Sequence, residues 1–423
     1  MDAFIPRFAQ ERLAERAGAF RVVIVNGPRQ AGKTTLLRQF QDSHGGSFRS
    51  LDDATTLRTA TNDPTEFAHY GAVPRVIDEV QRGGDELVLA LKYVVDRDNS
   101  RGQFILSGST RFLTVPTLSE SLAGRAVFID LWPLTVAERT GAPGDFCDLL
   151  FAGRGAFADA DESRWDRRAY LDLMCTGGYP EVLGIRSANL RHGWFEGYLS
   201  TVVLRDIGSF AQIQHSELIP RMLSILAARA GGQAVLSDLA KDLQLNHATA
   251  RKYLTYLDTV FLTGRVAPWS SNLTAKHVKT PKIYPTDSGL AAHLLQVDLE
   301  ALIRPGNPTT GALTETFVFA ELTRLLAASD IGAALHFYRD RDGREVDFVL
   351  EKRDGQVVGI EVKASSTVGT DDFRHLRWLA DRLGDRFAGG YVIHLGTGTH
   401  PFGDRMIALP LSAMWHHRGL QTS

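Results

Sequence analysis

The chain has 423 residues and a formal charge of −2, with 44% hydrophobic and 23% charged residues. These values are ordinary for a soluble globular protein of about two to four domains. They exclude a uniformly basic surface, so any nucleic-acid site has to be a local basic patch. No apolar run approaches the length of a membrane span, and the N-terminal residues lack the apolar stretch of a signal peptide, so the sequence predicts a cytoplasmic protein without a membrane partner. Cys147 and Cys175 have no ligand or redox spacing, and we interpret them as reduced core thiols.

The first predicted strand is the apolar run Val22 to Val25, which leads into G-P-R-Q-A-G-K-T at residues 27–34. A helix-compatible run, residues 35–40, follows. The string fits G-x-x-x-x-G-K-[ST], the loop that binds the phosphates of nucleoside triphosphates. The alternative is a chance glycine-rich turn, and the strand and helix on either side argue against it.

The chemistry of such a loop assigns roles to its residues. Glycines let the backbone N–H groups point at a phosphate, and the N-terminus of the following helix adds partial positive charge. We expect Lys33 to reach the β- and γ-phosphates and the Thr34 hydroxyl to ligate Mg²⁺. The predicted nucleotide-binding residues are Gly27, Pro28, Arg29, Gln30, Ala31, Gly32, Lys33, Thr34 and Thr35.

A second short strand, Val76 and Ile77, ends in two carboxylates. Asp78 is predicted to hold Mg²⁺, through water, and Glu79 to orient and polarise the attacking water as the catalytic base. The alternative is a solvated strand end.

The next apolar strand ends in Ser107, Gly108 and Ser109. Ligands of open α/β sheets bind at this end of the strands, so Ser107 or Ser109 is predicted to sense the γ-phosphate, with a plain Gly-Ser turn as the alternative. Arg111 and Arg125 are candidates for an arginine finger, acting in their own subunit or across a ring interface.

Several strings together carry a family resemblance: G-P-R-Q-A-G-K-T-T, I-D-E-V, I-L-S-G-S, S-L-A-G-R…L-W-P-L-T, G-G-Y-P-E-V at 177–182, R-D-I at 205–207 and I-E-V-K at 360–363. The chain resembles a family of bacterial and archaeal AAA-type P-loop ATPases that are fused to a C-terminal domain of unknown function. The resemblance implies binding of ATP with Mg²⁺ and ATP hydrolysis, and it allows a homo-oligomer.

The middle of the chain is predicted to be a connector. Residues 141–164 are rich in Gly, Ala and Asp without periodicity, and we interpret them as a long loop. Residues 168–210 have a helical pattern typical of a lid, broken at Gly177 to Pro180. Arg205 and Asp206 are predicted to contact nucleotide or a neighbouring subunit, or to form a structural ion pair.

Residues 221–284 predict three helices and a β-hairpin, the order of a winged helix-turn-helix, with caps at Ser237 and Asn246. This stretch has nine Lys and Arg against three Asp and no Glu, a local charge of +6. The third helix is predicted to contact DNA, and the alternative is a protein–protein module. The predicted phosphate contacts are Arg251, Lys252, Lys276 and Lys279.

The C-terminal third predicts an αβββαβ order that resembles the PD-(D/E)xK nuclease fold. Alternate residues of a strand share a face, so Glu361 and Lys363 point the same way and Asp347 meets them across a hairpin. Asp347 and Glu361 are predicted to bind Mg²⁺ and Lys363 to position water. Glu315 or Glu321 is the candidate for a further carboxylate, and a recognition module without cleavage is the alternative. His336 and His394 are predicted to be core or edge residues.

The predicted fold is therefore α/β in four parts: a P-loop NTPase (AAA-like) core with a parallel sheet at 1–135, a helical lid or connector at 136–218, a winged helix at 219–295, and a PD-(D/E)xK nuclease-like domain at 305–423. The predicted function is an ATP-binding and ATP-hydrolysing molecular switch that acts on DNA or a protein partner. One alternative is an ATP-regulated, Mg²⁺-dependent DNA nuclease, and another is a non-catalytic adaptor that binds DNA or a partner.

Overall fold

The computed structural model describes residues 4–111, 122, 124–157, 163–211, 215–270, 280–304 and 306–415. The chain divides into two compact units. Unit 1 contains Met1–Leu134, Leu204–Gln212 and Asp258–Phe261, and unit 2 contains the rest of the chain. The four domains predicted from the sequence follow finer boundaries, and those boundaries stay a prediction.

A five-stranded sheet forms the centre of unit 1, and all of its strands are parallel. The strands are β1 (Val22–Asn26), β2 (Ser47–Ser50), β3 (Arg75–Asp78), β4 (Phe104–Gly108) and β5 (Ala126–Asp130). They lie in the order β2-β3-β4-β1-β5. The parallel sheet predicted for this part of the chain is confirmed.

Helices cover both faces of this sheet. They are α1 (Ala9–Ala19), α2 (Lys33–His44), α3 (Ala54–Asn62), α4 (Pro64–His69) and α5 (Gly84–Arg97). The side chains of β1 alternate between the two faces: Val22 and Ile24 pack with residues of α3, α4 and α5, whereas Val23 and Val25 pack with residues of α1 and α2. Burial on both faces explains why β1 reads as an uninterrupted apolar run.

Unit 2 begins with a series of helices: α6 (Val136–Thr140), α7 (Phe146–Ala152), α8 (Arg167–Thr176), α9 (Pro180–Leu183) and α10 (Ala188–Thr201). The prediction of a loop over 141–164 is wrong for α7, which buries Phe146, Cys147, Leu149 and Leu150. A helix of two turns is too short to show its period among the surrounding Gly and Ala residues.

The predicted order of three helices and a hairpin is present after residue 215. The elements are α11 (Leu218–Ala228), α12 (Leu236–Asp242), α13 (His247–Thr259), β6 (Thr263–Pro268) and β7 (Lys282–Pro285). Residues 271–279, between the two strands, lie outside the described residues.

The predicted αβββαβ order of the C-terminal third is confirmed. After α14 (Ser288–Leu294) and α15 (Leu299–Ile303) come α16 (Thr309–Ala328), β8 (Ala334–Arg339), β9 (Glu345–Glu351), β10 (Val357–Lys363), α17 (Arg374–Leu383) and β11 (Phe387–His394). Two further strands follow, β12 (His400–Pro401) and β13 (Met406–Pro410).

One mixed sheet of eight strands joins these elements in the order β12-β13-β11-β10-β9-β8-β6-β7. The hairpin β6–β7 therefore extends the sheet of the C-terminal strands, because β6 pairs in parallel with β8. In the antiparallel pair β9–β10, Phe348 lies opposite Ile360. This register brings Asp347 and Glu361, the next residues outward on each strand, to the same end of the hairpin.

Candidate functional site

The predicted phosphate loop is the turn between β1 and α2, and two of its glycines are required by its shape. A Cβ on Gly27 would lie 2.1 Å from the carbonyl oxygen of Leu131. Gly32, at the N-cap of α2, has φ +94°, a conformation that favours glycine. The loop residues 27–32 thus form a tight turn that ends at the N-terminus of a twelve-residue helix, where N–H groups are available to an anion.

Lys33 lies folded inside this loop. Its Nζ donates hydrogen bonds to the carbonyl oxygens of Gly27, at 3.0 Å, and Pro28, at 2.8 Å, and the residue is 5% exposed. Burial lowers the pKa of Lys33, although the nearby carboxylates Glu79 and Asp78 oppose the shift. The loop therefore holds a buried cation in the place where the motif predicts phosphate to bind.

Arg7 contacts the outer side of the loop, and no motif in the sequence points to it. Its guanidinium donates to the carbonyl oxygens of Ala31, at 2.7 Å, and Trp132, at 2.6 Å. Hydrogen bonds from a charged donor are among the stronger ones in proteins. Arg7 therefore stabilises the loop through its backbone.

Thr34 and Asp78 meet across the edge of the sheet. The Thr34 hydroxyl donates to Oδ2 of Asp78 at 2.8 Å, and Ser107 donates to Oδ1 of the same carboxylate. A hydroxyl and a carboxylate oxygen side by side are donors that suit Mg²⁺. The residues predicted to hold Mg²⁺ therefore fit that ion. Ser107 therefore contacts the Asp78 carboxylate. It also accepts a hydrogen bond from the Glu79 N–H at 3.2 Å.

Glu79 has a left-handed backbone conformation, with φ 57°, which is uncommon for a residue other than glycine. Its carboxylate accepts hydrogen bonds from the Gln81 amide and, at 3.3 Å, from the Ser109 hydroxyl. Gln81 also donates to Ser109 at 3.2 Å. Sequence reasoning missed Gln81, because a glutamine two residues after a strand is no recognised signal.

A cavity of about 290 Å³ opens at this edge of unit 1. Arg29, Glu79, Ser109, Arg205 and Asp206 line it. Arg29 and Asp206 form a bidentate ion pair with N–O distances of 2.7 and 3.0 Å, and this pair raises the pKa of Arg29. Of the alternatives predicted for Asp206, the structure shows the ion pair.

Arg125 lies away from the loop. It immediately precedes β5, whereas the loop follows β1, and the two strands run parallel, so Arg125 is at the opposite edge of the sheet, about 13 Å away along the strands. Its guanidinium pairs with Asp96, with one N–O distance of 3.0 Å. Within its own chain, Arg125 is therefore not brought near the loop, and its role as an arginine finger stays a prediction. Arg111 is at the correct edge, where it donates to the Asp258 carbonyl at 2.9 Å.

Unit 2 brings together the acidic residues predicted in the C-terminal third. The Asp347 carboxylate accepts a hydrogen bond from the Val362 N–H at 2.9 Å, and Lys363 Nζ lies 3.1 Å from Glu361. Burial raises the pKa of Glu361 to about 8 and also raises that of Asp347, with the repulsion between the two carboxylates as a further cause for Glu361.

Of the two candidates for an additional carboxylate, Glu315 joins this cluster and Glu321 does not. Glu315 accepts a hydrogen bond from Tyr284 at 2.6 Å and from Lys282 at 3.1 Å, and burial raises its pKa to about 7. Glu321 is buried elsewhere in unit 2, where it accepts from the Val136 N–H at 3.0 Å and from Arg324. Lys282 and Tyr284, both on β7, were missed by the sequence analysis.

The described residues include two of the four predicted DNA contacts. Arg251 and Lys252 are exposed on α13. Lys276 and Lys279 lie outside the described residues.

Other predicted residues lie in the core. Cys147, Cys175 and His394 are buried, and burial raises the pKa of Cys175 to about 12.

Within the described part of the chain, no group of three or more His, Cys, Asp or Glu residues has the arrangement of a metal site. None of the helices described there has the length and apolar character needed to span a bilayer.

Three family models match the chain. Residues 19–140 match an AAA domain, residues 167–301 a domain of unknown function (DUF8612), and residues 310–414 a second domain of unknown function (DUF4143). The AAA-type ATPase domain and the C-terminal domain of unknown function expected from the resemblance are confirmed. The AAA match covers the whole parallel sheet of unit 1.

The chain is 31% identical over 406 residues to the uncharacterized protein Rv2008c of Mycobacterium tuberculosis, covering 96% of this chain and 83% of that protein. An uncharacterized protein of Haemophilus influenzae is 23% identical over 383 residues, covering 84% and 86%. The Walker-type ATPase PABY2304 of Pyrococcus abyssi aligns with a TM-score of 0.40 and 15% identity over 69% of this chain and 96% of that structure. From the match to the mycobacterial protein, the chain belongs to the same family as Rv2008c, and in this member an AAA-type P-loop ATPase domain precedes a C-terminal DUF4143 domain.

Proposed function

We propose that the chain is an ATP-hydrolysing molecular switch. The observation that carries the proposal is the contact between Thr34 and Asp78, at 2.8 Å, with Glu79 as the next residue of the chain. This contact joins the phosphate loop to the acidic end of β3. The Thr34 hydroxyl and the carboxylates of Asp78 and Glu79 lie at one edge of the sheet, the edge at which open α/β sheets bind ligands, and this supports the proposal.

Each side chain has a defined task in this proposal. The loop N–H groups and Lys33 bind the phosphates, Thr34 and Asp78 hold the metal ion, and Glu79 orients the attacking water and accepts its proton. Mg²⁺, when bound with ATP, offsets the charge that develops on the phosphate oxygens. Ser107 donates to the Asp78 carboxylate and accepts from the Glu79 N–H. These two hydrogen bonds hold Asp78 and Glu79 in fixed positions relative to each other.

The switch part of the proposal depends on the ion pair between Arg29 and Asp206. Arg29 is a loop residue, so binding of a triphosphate changes the charge that its guanidinium faces. Asp206 belongs to the π-helical segment Val202–Ile207, which directly follows α10. A change at this pair would bias the conformation of the downstream chain.

The substitution Glu79→Gln tests the hydrolytic step. We expect this variant to bind ATP with the wild-type Kd, because the amide keeps the shape of the side chain, and to lose phosphate release by at least about a hundredfold, because the base is gone. Glu86→Gln, on the exposed first turn of α5, is the matched control and should keep full activity. Wild-type turnover in Glu79→Gln would remove Glu79 from its proposed role.

For the action downstream of ATP we propose DNA binding by a winged helix, made of α11, α12, α13 and the β6–β7 hairpin. The exposure of Arg251 and Lys252 on α13 supports this proposal. Replacing both residues with Ala should weaken binding to duplex DNA and reduce its salt dependence by about two phosphate contacts in a gel-shift titration. Salt-independent binding, or none, would favour the adaptor that binds a protein partner instead.

The Mg²⁺-dependent nuclease, with Asp347, Glu361 and Lys363 as its site, remains the rival hypothesis. The convergence of these residues in unit 2 supports it. The position of Lys282 argues against it. A homo-oligomer, with Arg125 acting across an interface, also stays a prediction, and the mass in solution with and without ATP tests it.

A further inference from the structure

The acidic cluster of unit 2 already contains a cation that belongs to the chain. Lys282 Nζ lies 2.8 Å from a carboxylate oxygen of Glu345, 3.1 Å from Glu315 and 3.6 Å from Asp347. The Lys282 side chain is 0% exposed. Burial alone would discharge such an amine, but the three carboxylates outweigh it and raise the pKa of Lys282 above its ordinary value.

This ammonium stands where a divalent ion would have to bind between Glu315 and Asp347. Mg²⁺ and Ca²⁺ take carboxylate oxygens at about 2.0–2.6 Å. Nζ is 3.1 and 3.6 Å from the Glu315 and Asp347 oxygens, so an ion bound to both of them would lie within about 6 Å of the ammonium. In a buried site, the repulsion between an ammonium and a dication at such separation is large.

The charges of the cluster are balanced in large part without a metal ion. Glu315, Glu345, Asp347 and Glu361 contribute four negative charges when ionised. Three cations lie within ion-pair distance of them, namely Lys282, Lys363 and Arg339, which is 3.6 Å from Glu345. Asp372 shares Lys363, at 3.7 Å, so with this fifth carboxylate the net charge is about −2. A dication is therefore attracted less than by a site of free carboxylates.

Not every carboxylate oxygen of the cluster has a hydrogen-bond partner among the described residues. Glu361 Oε2 is buried and has no hydrogen-bond partner among the described residues. Asp347 uses one oxygen for the Val362 N–H, at 2.9 Å, and the other faces Lys282. A dication bound through these two carboxylates would therefore compete with Lys282 for the same Asp347 oxygen, and experiments on Asp347 detect that competition.

The surroundings of Glu315 are closed as well. The Tyr284 hydroxyl donates to Oε1 at 2.6 Å, the same oxygen that Lys282 contacts. A Cβ at Gly231 would lie 2.3 Å from the Glu315 Oε2 atom, so the backbone packs directly against the second oxygen. Glu315 has little room for another ligand.

We propose that the Lys282 ammonium takes the place of a divalent cation in this cluster. The cluster is then a metal-free ion-pair network that ties β7 to α16 and to β9, and it does not cleave nucleic acid. The inference concerns unit 2 alone and holds whether or not unit 1 hydrolyses ATP.

Binding of Mn²⁺ to the nucleotide-free full chain, counted by electron paramagnetic resonance, tests the proposal. Four proteins are compared: the wild type, Asp347→Asn, Lys282→Met and the double variant. We expect the wild type and Asp347→Asn to bind equal amounts of Mn²⁺. Lys282→Met should bind one additional ion, and the double variant should lose it. One more ion on the wild type than on Asp347→Asn would overturn the proposal, and so would a folded Lys282→Met without the additional ion.

Thermal unfolding keeps the test decisive if Lys282→Met is unstable. Removing the ammonium leaves Glu315 and Asp347 without the cation that they share, so the Tm of Lys282→Met should fall by several degrees, and millimolar Mn²⁺ should raise it again. The double variant should show no rise with Mn²⁺, and the control Lys352→Met, whose partner Asp354 is exposed, should melt like the wild type. A Tm of Lys282→Met that ignores Mn²⁺ contradicts the proposal.

A cleavage assay completes the comparison. With Mg²⁺ or Mn²⁺, and with or without ATP, the wild type should leave single- and double-stranded DNA intact. Cleavage that disappears in Asp347→Asn would overturn the proposal. ATP turnover of Lys282→Met, measured alongside, should equal that of the wild type, so failure of the ATPase proposal is visible separately.

Discussion

At the scale of single residues, Glu79, the proposed base, is held in one position by its neighbours. Its left-handed backbone lets the N–H reach Ser107 at 3.2 Å, while the carboxylate turns to Gln81 and Ser109. Such a conformation costs about 1 kcal/mol or more for a residue with a Cβ. Its hydrogen bonds to Ser107, Gln81 and Ser109 offset that cost, so the carboxylate has a defined resting position.

Gln81→Ala should release the Glu79 carboxylate from this position. A hydrogen bond to a carboxylate contributes about 1.5 kcal/mol or more, which corresponds to roughly a tenfold change in rate. We expect basal ATP turnover at saturating ATP to rise by about that factor, with an unchanged Kd for ATP. Phosphate release measures the first quantity and calorimetry the second. Slower turnover would instead make Gln81 part of the reactive arrangement.

His394 should make stability depend on pH. Burial lowers its pKa to about 4, and the ring is held neutral: Nε2 donates to the Gly398 carbonyl at 3.1 Å and Nδ1 accepts from the Gly396 N–H at 3.0 Å. The unfolded chain, with an ordinary histidine pKa near 6.5, binds the proton first as pH falls, so the contribution of His394 is complete above about pH 6.5 and is lost toward pH 4.

The measurement is the free energy of unfolding in denaturant at pH 7 and pH 4.5. The wild type should lose up to about 2 kcal/mol more than His394→Gln over this interval. The comparison with His394→Gln removes the contributions of the other titrating groups, among them Glu361 and Glu315. Equal losses in both proteins would show that His394 is not held neutral by the fold.

At the scale of elements, the ion pair between Arg29 and Asp206 should stabilise unit 1. Asp206 is 6% exposed, so Asp206→Asn leaves a half-buried guanidinium without its counter-ion. We expect a loss of about 3 kcal/mol in the free energy of unfolding. Asp52 is the matched control: it pairs with Arg82 and Arg205 but is 54% exposed, so Asp52→Asn should cost less than about 1 kcal/mol. Equal losses in the two variants would contradict this ranking.

The elements that sequence reasoning found are those with a strong local signal. β1, the loop and α2 follow from an apolar run and spaced glycines, and the C-terminal αβββαβ order follows from alternation and turn residues. The partners that it missed lie in distant segments: Arg29 and Asp206 are 177 residues apart, and Arg7 and Trp132 are 125 apart. A charged residue does not reveal its partner in sequence, which is why Lys282 was counted as part of a basic patch.

Arg125 shows what the sequence alone did not supply, because no strand was predicted directly after it. In a parallel sheet the residues that precede a strand lie at the edge opposite the ligand. β5 begins at Ala126, so the structure places Arg125 at that opposite edge.

At the scale of the whole molecule, the division into units cuts across the sequence. Leu204–Gln212 and Asp258–Phe261 belong to unit 1, although the segments that flank them belong to unit 2. Unit 1 is therefore made of three pieces of chain, and one of these pieces contains Asp206. Asp206 lies in the segment that directly follows α10, a helix of unit 2. Under the proposed switch, a change at Asp206 should affect that helix.

This connection predicts where hydrogen exchange should respond to nucleotide. A non-hydrolysable ATP analogue with Mg²⁺, at 100-fold excess over its Kd, stabilises the unit that binds it by about 2.7 kcal/mol. Amides of β1, β3 and β4 should exchange more slowly. If the chain is a switch, amides of α10 should also change their exchange rate.

Two variants separate these effects. Lys33→Ala should lose both responses, because it lacks the side chain that is proposed to bind the phosphates. Asp206→Asn should keep the protection of the sheet, because it still binds the nucleotide. It should lose the change in α10, because its ion pair with Arg29 is absent. If only amides of unit 1 are protected in the wild type, ATP stabilises the site without changing the exchange of α10. The switch hypothesis would then be wrong, and a simple ATPase would replace it.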